Sequence, residues 1–151
     1  MVKAGEIIAI GCDHAGFGMK EYLKKVINGW GFDLKDFGTY SKVSMDYPDP
    51  IHPLASAIEK GLLKRGIIIC GSGNGAAMVA NKYPHVRAAL CWQPEIAKFA
   101  RLHNDANIIS LPARFITNNQ AVEIAKLFLH TDFEGGRHQK RVNKISDNIQ
   151  C

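Results

Sequence analysis

Residues 67–75 read Ile-Ile-Ile-Cys-Gly-Ser-Gly-Asn-Gly, so a continuous apolar run ends directly in three glycines within five positions. An uninterrupted apolar run is typical of a strand that is covered on both faces of its sheet. The alanine-rich segment 76–80 predicts a helix, which must stop before Pro84 because proline cannot continue it. This stretch therefore indicates a buried strand, a tight turn and a helix, the repeating unit of an α/β fold.

The same alternation extends along the chain in both directions. Four more strands are predicted at 7–10, 32–37, 86–92 and 107–111. Between them, apolar residues at helical spacing are Met19, Leu23, Val26 and Ile27; Leu54, Ala57, Ile58 and Leu62; Ile96, Phe99 and Ala100; and Ala121, Ile124, Ala125 and Phe128. Five such alternations predict a three-layer α/β/α sandwich, Rossmann-like, around a five-stranded parallel sheet.

Local signals mark several helix ends and one long loop. Thr117 and Gln120 have the spacing of a capping box, and Pro94 suits the first turn of a helix. A last, basic helix is predicted from Gly136 to about residue 146. The stretch 38–53 is long for a loop between a strand and a helix, which indicates a functional role.

Composition narrows the class of protein. The length of 151 residues, with 46% apolar and 22% charged residues, predicts one globular domain over residues 1–151. The net charge of +5 fits three kinds of partner: nucleic acid, an anionic membrane or a phosphorylated small molecule. No apolar run reaches the ~18 residues of a membrane span, and no secretory signal is recognisable, so we expect a cytoplasmic protein with no membrane partner.

The four cysteines are too scattered for a disulfide framework. Because the chain has no CxxC, HxH or HxxxH spacing, the sequence predicts no metal site.

The glycine turn at 71–75 is a candidate anion site. Successive backbone N–H groups in such a turn, next to a helix start, can form a nest for an anion. A simple tight turn explains the pattern equally well. A nucleotide site is a rival, but the turn lacks the lysine of a P-loop and does not match GxGxxG. Only Asp36, near the end of the second strand, could hold an adenosine ribose.

Cys70 lies at the mouth of this turn, where N–H dipoles would stabilise a thiolate. A cysteine in a strand is nevertheless more often a small core residue. Cys12 follows the first strand and Cys91 lies within the predicted fourth strand, and we interpret both as core thiols. Cys151 is terminal, and we expect it to be disordered.

Polar residues that could bind a substrate also occur after the first predicted strand and at the end of a predicted helix. Asp13 and His14 come directly after the first strand, where they suit contacts to a polar substrate, although Asp13 could equally cap a helix. His103 falls on the apolar stripe of its helix and is followed by Asn104. It is therefore either a core histidine or, since the helix ends there, a functional one.

Arg137 and Arg141 are four residues apart and share one face of the last helix. Two guanidinium groups beside a helix that starts at glycine suit a phosphate dianion, although a solvated basic face is the common alternative. The other basic residues are scattered, without interleaved aromatic residues, so we expect no nucleic-acid partner.

Six motifs occur in order: GCDHAG at 11–16, DYP at 46–48, ICGSGNG at 69–75, ANK at 80–82, HND at 103–105 and EGGRH at 134–138. Together they resemble the ribose-5-phosphate isomerase B family, which includes galactose-6-phosphate isomerase subunits, over roughly residues 6–146. The resemblance implies an aldose–ketose isomerase that works through an enediolate without a metal or an organic cofactor.

The resemblance also implies roles for individual residues. Cys70 matches the base that moves a proton between C2 and C1, His103 matches the histidine that assists ring opening, and Ser72 matches a hydroxyl group beside them. Substrate contacts are implied at Asp13, His14, Tyr47, Gly71, Gly73, Asn74, Gly75, Asn104, Arg114, Arg137 and Arg141.

The family is dimeric or tetrameric, and its sites are shared between subunits. We therefore expect the basic helix, at about 136–147, to contact a partner subunit and to extend Arg137 and Arg141 towards the partner's site. Two positions depart from the commoner family pattern: Ser72 replaces a threonine and Asn74 replaces a small apolar residue.

The first hypothesis is a cytoplasmic isomerase of the pentose phosphate pathway that interconverts ribose 5-phosphate and ribulose 5-phosphate. The alternative keeps the chemistry and changes the substrate to allose 6-phosphate or galactose 6-phosphate. A third hypothesis, a non-catalytic binder of nucleotides or sugar phosphates, rests on the glycine turn alone.

Overall fold

The structure is a computed structural model that describes residues 3–147, so the prediction for Cys151 falls outside the described residues. The strands are β1 (Ile7–Cys12), β2 (Asp33–Asp36), β3 (Arg65–Cys70), β4 (Ala88–Leu90) and β5 (Ile108–Pro112). The helices are α1 (Phe17–Gly29), α2 (Pro48–Glu59), α3 (Asn74–Ala80), α4 (Pro94–Asn104), α5 (Asn118–His130) and α6 (Arg137–Asn143). A single 3-10 turn at His14–Gly16 precedes α1.

All five strands are parallel and lie in the order β2-β1-β3-β5-β4, which confirms the predicted sheet. Cys12 lies opposite Ile69 on β3, and Cys70 lies opposite Pro112 on β5. The carboxyl ends of β1, β3 and β5 therefore meet along one side of the sheet, which we call the carboxyl edge. The opposite side, where the strands begin, is the amino edge.

Helices cover both faces of the sheet, as the apolar strands require. Successive residues of β3 point to opposite faces, and its Ile67 and Ile69 belong to one core cluster with residues of α1, α4 and α5. Ile68 and Cys70 belong to the other cluster, with residues of α2 and α3. The three-layer arrangement predicted from the sequence is therefore confirmed.

Several element bounds differ from prediction. The helix α2 begins at Pro48, inside the stretch predicted to be irregular, because Pro48 and Pro50 lie in its first turn, where backbone N–H groups have no acceptor within the helix. Pro53 lies inside the helix. Leu62, one of the residues from which this helix was predicted, lies beyond its end at Glu59 and is 71% exposed, so its inclusion in the helix was wrong. Phe99 was also wrongly placed in the core: α4 buries Ala97 and Ala100 instead, and Phe99 is 48% exposed.

Two predicted elements are shorter in the structure. The fourth strand is reduced to Ala88–Leu90, so Cys91 follows it, although the cysteine is fully buried as expected. The basic helix spans Arg137–Asn143. The capping box is confirmed, since Thr117 Oγ1 accepts from the Gln120 N–H at 3.1 Å and Gln120 Oε1 accepts from the Thr117 N–H at 2.8 Å.

None of the helices within residues 3–147 is both long enough and apolar enough to cross a membrane.

Candidate active site

The glycine turn lies at the centre of the carboxyl edge, between β3 and α3. Gly73 adopts a left-handed conformation, with φ of 76°, which glycine reaches without strain. Its carbonyl oxygen accepts a hydrogen bond from Ser110 Oγ at 2.6 Å. A methyl group added at Gly73 would collide with the side chain of Leu90 and lie 3.3 Å from the carbonyl carbon of Leu111. Both the conformation and the packing therefore require glycine at this position.

Cys70 ends β3 and begins this turn. It is 5% exposed, and its carbonyl oxygen accepts from the Ala113 N–H at 2.9 Å, which fixes its backbone against the end of β5. Cys12 and Cys91 are fully buried free thiols, and burial raises the pKa of each to about 12. Of the cysteines in the described chain, Cys70 is the one that adjoins the glycine turn.

Asp13 and His14 lie beside the end of β3. The Asp13 N–H donates to the carbonyl oxygen of Ile69 at 3.1 Å, which holds Asp13 next to the strand that carries Cys70. Its Oδ1 accepts from the Gly16 N–H at 3.1 Å, so Asp13 also caps the 3-10 turn. His14 Nδ1 accepts from the Met45 N–H at 3.2 Å. The proton of a neutral His14 must therefore lie on Nε2.

A lysine of α1, which sequence reasoning did not single out, ties that helix to the end of β2 and to the loop between β2 and α2. Lys20 is fully buried, and its Nζ donates to both carboxylate oxygens of Asp36, at 2.7 and 2.8 Å, and to the carbonyl oxygen of Thr39 at 2.7 Å. Lys24 Nζ donates to the same carboxylate at 2.7 Å.

Burial alone would raise the pKa of Asp36, but the hydrogen bonds from the two lysines outweigh it and hold the pKa below its ordinary value. Because the ammonium groups of Lys20 and Lys24 already bind this carboxylate, Asp36 is not a good candidate for binding a ribose hydroxyl group.

Tyr47 and Arg114 pack directly on the glycine turn. A methyl group added at Gly75 would lie 2.7 Å from Cζ of Tyr47, so the phenol ring rests on that glycine. A methyl group added at Gly71 would lie 3.3 Å from Nη1 of Arg114, and the Arg114 N–H donates to the Gly71 carbonyl oxygen at 3.0 Å. A phenol and a guanidinium group therefore flank the turn.

An open groove of about 510 Å³ lies on one side of this turn. Ser72 and Asn74 line it, together with the exposed side chains of Trp92 and Phe115. The Ser72 hydroxyl accepts from the Asn74 N–H at 3.3 Å. The carboxyl edge thus brings together ten of the predicted site residues: Asp13, His14, Tyr47, Cys70, Gly71, Ser72, Gly73, Asn74, Gly75 and Arg114.

The four remaining predicted residues lie at the amino edge. The helix α4 leaves the carboxyl edge at Pro94 and ends at Asn104, four residues before β5 begins. Eleven helical residues span about 16 Å, so His103 and Asn104 are separated from Cys70 by the length of the sheet. Arg137 and Arg141 belong to α6 and are exposed at the same edge as His103.

His103 has two neighbours that sequence reasoning did not single out. Its ring stacks on that of His138, with centroids 4.3 Å apart and an angle of 12° between the planes. Glu134 Oε2 lies 3.9 Å from Nε2 of His103 and 3.8 Å from Nε2 of His138. Burial and the neighbouring His103 lower the pKa of His138. Glu134 precedes α6, and the turn at Gly135 and Gly136 brings it beside His138, so helical spacing gave no signal for this contact.

The predicted site residues therefore form two groups on one chain. The carboxyl edge holds a thiol, a carboxylate, an imidazole and a row of backbone N–H groups. The amino edge holds an imidazole and two guanidinium groups. A ligand at the glycine turn of one chain reaches the second group only when another copy presents its amino edge there.

A family model described as Ribose/Galactose Isomerase matches residues 8–145. Ribose-5-phosphate isomerase B of Escherichia coli is 38% identical over 139 residues, which cover 92% of this chain and 93% of that protein.

Two solved structures share both fold and sequence with the chain. Ribose 5-phosphate isomerase of Thermotoga maritima superposes with a TM-score of 0.91 at 45% identity, covering 93% of this chain and 97% of that one. Ribose-5-phosphate isomerase B of Mycoplasma genitalium, with bound ribulose-5-phosphate, superposes with a TM-score of 0.90 at 37% identity and covers 95% of both chains.

Proposed function

The chain belongs to the ribose/galactose isomerase family, and from that premise we propose that it interconverts ribose 5-phosphate and ribulose 5-phosphate. It is an aldose–ketose isomerase, which places it in the pentose phosphate pathway. The observation that carries the proposal is the family match across residues 8–145, combined with a thiol at the glycine turn.

Cys70 is the proposed base. Its thiolate removes the proton from C2 of the open-chain aldose, which leaves an enediolate with negative charge on O1. Return of a proton to C1, and transfer of the O2 proton to O1, gives the ketose with no net gain or loss of atoms. The reaction leaves the oxidation state of the whole sugar phosphate unchanged, so it calls for no redox cofactor.

Backbone N–H groups of the turn, at Gly71, Gly73 and Gly75, would stabilise the negative charge of the enediolate. One preorganised donor of this kind contributes about 3–4 kcal/mol to catalysis when it faces the developing oxyanion. The hydroxyl of Ser72 adjoins the same turn, and Asp13 offers a carboxylate to sugar hydroxyl groups.

A second copy of the chain would complete each site. His103 of that copy would assist opening of the sugar ring, and Asn104 would contact a sugar hydroxyl group. Arg137 and Arg141 of that copy, with Arg114 and His14 of the first, would hold the phosphate. We therefore propose a homo-oligomer with sites shared between subunits, a cytoplasmic enzyme whose excess positive charge serves in part to bind phosphate.

The test is a coupled isomerase assay on ribose 5-phosphate, allose 6-phosphate and galactose 6-phosphate. We expect the highest kcat/KM with ribose 5-phosphate, because the similar proteins of Escherichia coli and Thermotoga maritima are named for that sugar. A higher kcat/KM with either hexose phosphate would contradict the proposed substrate.

Cys70→Ala should lower kcat at least about 100-fold, the smaller end of a general base's contribution. Cys91→Ala is the matched control, since it removes a thiol that lies in the core, and it should leave kcat near that of the wild type. A folded Cys70→Ala variant with near-normal turnover would sink the assignment of the base.

A further inference from the structure

Three side chains from separate segments converge at the amino edge. His103 lies in the last turn of α4, Glu134 lies in the segment before α6, and His138 lies in the first turn of α6. One ligand atom from each side chain, an imidazole nitrogen or a carboxylate oxygen, lies within 4.8 Å of the other two.

The backbone fixes this convergence. The Glu134 N–H donates to the carbonyl oxygen of Leu102 at 3.1 Å, which ties the segment before α6 to the end of α4. Gly135 and Gly136 follow with φ of 69° and 53°, left-handed values that let the chain turn sharply. The turn places the carboxylate of Glu134 and the ring of His138 on the same side, facing His103.

His138 has an unused nitrogen directed at this cluster. Its side chain is 7% exposed, and its Nε2 has no hydrogen-bond partner among residues 3–147. A buried polar atom without a partner is costly, so it is a place to look for an ion. Glu134 lies 3.8 Å away, too far for a hydrogen bond but close enough for both atoms to share a cation.

Two imidazole nitrogens and one carboxylate oxygen are a ligand set typical of Zn²⁺. With metal–ligand bonds of about 2.0–2.2 Å, neighbouring tetrahedral ligand atoms lie about 3.3 Å apart. The distances of 3.9 and 3.8 Å from Glu134 Oε2 to the two Nε2 atoms therefore need a contraction of about 0.5 Å. The two imidazole rings must also rotate out of their stacked arrangement, so that a nitrogen of each faces one ion. Mg²⁺ is disfavoured because it prefers oxygen ligands.

We propose that His103, Glu134 and His138 form a Zn²⁺-binding site, with water in the fourth position. The half-exposed carboxylate of Glu134 and the exposed guanidinium groups of Arg137 and Arg141 make this an exchangeable site, since nearby positive charge weakens cation binding. A further consequence rests on the proposed function: Zn²⁺ on His103 removes that imidazole from ring opening and inhibits the isomerase.

Binding is measured first, and independently of activity. The full chain carrying Cys70→Ala, which removes a competing thiol, is freed of metal with a chelator and titrated calorimetrically with Zn²⁺. We expect one Zn²⁺ per chain at this site, and the absorption bands of tetrahedral Co²⁺ when Co²⁺ replaces it. Mg²⁺ should give no binding signal.

Adding His138→Gln should weaken Zn²⁺ binding at least about tenfold, a loss that even removal of an outer-sphere partner can cause. His130→Gln is the matched control, because His130 lies at the end of α5, where its Nδ1 is hydrogen-bonded to the Lys126 carbonyl oxygen. The site is overturned when the chain binds no Zn²⁺, or when His138→Gln binds it as tightly as the control does.

Inhibition is tested on the wild-type chain in chelator and in buffered Zn²⁺. Lower turnover in Zn²⁺, restored by chelator, supports the consequence, whereas Zn²⁺ binding without any change in turnover overturns it and leaves the site standing. Absence of isomerase activity even in chelator counts against the proposed function, not against the metal site.

Discussion

At the scale of single residues, the cysteines differ in what surrounds their sulfur atoms. Cys12 and Cys91 are fully enclosed in the core, and burial raises the pKa of each to about 12. Because only a thiolate attacks an alkylating reagent, a thiol whose pKa is raised in this way reacts slowly at pH 8. We therefore expect the thiols of Cys12 and Cys91 to be unreactive in the folded protein. Cys70, which adjoins the glycine turn, is 5% exposed, whereas the other two are fully buried.

We accordingly expect iodoacetamide at pH 8 to modify Cys70 in the folded protein and to leave Cys12 and Cys91 unmodified. Peptide mass spectrometry of a Cys151→Ser background measures each site separately. Modification should fall when ribose 5-phosphate is present, and all three cysteines should react in urea. Equal labelling of Cys91 and Cys70 in the folded chain would contradict this expectation.

Sequence reasoning at this scale placed residues correctly where their neighbours are close in sequence, and it missed contacts between distant segments. Cys70 and the glycine turn were predicted because strand, thiol and glycines are contiguous. Lys20 was missed because a lysine in an amphipathic helix is ordinarily exposed, and its partner Asp36 lies on another element. His138 was missed for the same reason, since its neighbour His103 lies on α4.

At the scale of elements, the 3-10 turn before α1 packs closely against the end of β3. A methyl group added at Gly16 would lie 2.7 Å from Cγ2 and 2.9 Å from the carbonyl oxygen of Ile69. A methyl group added at Gly18, two residues further on, would meet nothing within 4 Å. The two glycines therefore offer a matched pair.

Gly16→Ala should lower the free energy of unfolding by about 1–3 kcal/mol, the usual cost of overpacking. Gly18→Ala should raise it by about 0.5–1 kcal/mol, since alanine is the better helix former. Urea unfolding at one fixed chain concentration measures both. Equal effects of the two substitutions would show that contact with Ile69 does not decide the stability of this turn.

The elements themselves were largely predictable, because apolar periodicity reflects burial on one or both faces. The errors arose where an apolar residue has the spacing of a buried residue but is exposed in the structure. Phe99 has the helical spacing of a core residue, but α4 turns its small Ala97 and Ala100 to the sheet, and Phe99 packs on His103 with ring centroids 4.9 Å apart. Pro48 begins a helix although proline alone indicates a loop equally well.

At the scale of the whole molecule, the predicted site residues lie on opposite edges of one sheet. A sequence pattern identifies which residues carry chemistry, but not which edge each one occupies. Ten of the fourteen lie at the carboxyl ends of strands or in the loop before α2. His103 and Asn104 lie in the last turn of α4, a helix that runs along the sheet to the amino edge. Each proposed site therefore combines Cys70 of one chain with His103 of another.

This arrangement predicts complementation between two inactive variants. Cys70→Ala and His103→Asn chains, unfolded together and refolded as a mixture, should regain about a quarter of wild-type activity, because half of the randomly formed dimers are hybrids with one intact site of two. Activity per chain is measured before and after mixing.

The matched control mixes Cys70→Ala with the double variant Cys70→Ala/His103→Asn, from which no intact site can form, and it should stay inactive. A first mixture that also stays inactive, although the refolded chains associate, would place both residues in the same site of one chain.

A site shared between two chains, as proposed, would also make the catalyst itself a bimolecular species. When the chain is diluted below the dissociation constant of its dimer, the rate should fall with the square of the chain concentration rather than in proportion to it. The activity per chain would then depend on the concentration of the chain in the cell. Halving the concentration of a mostly monomeric chain would reduce the total reaction rate to about a quarter.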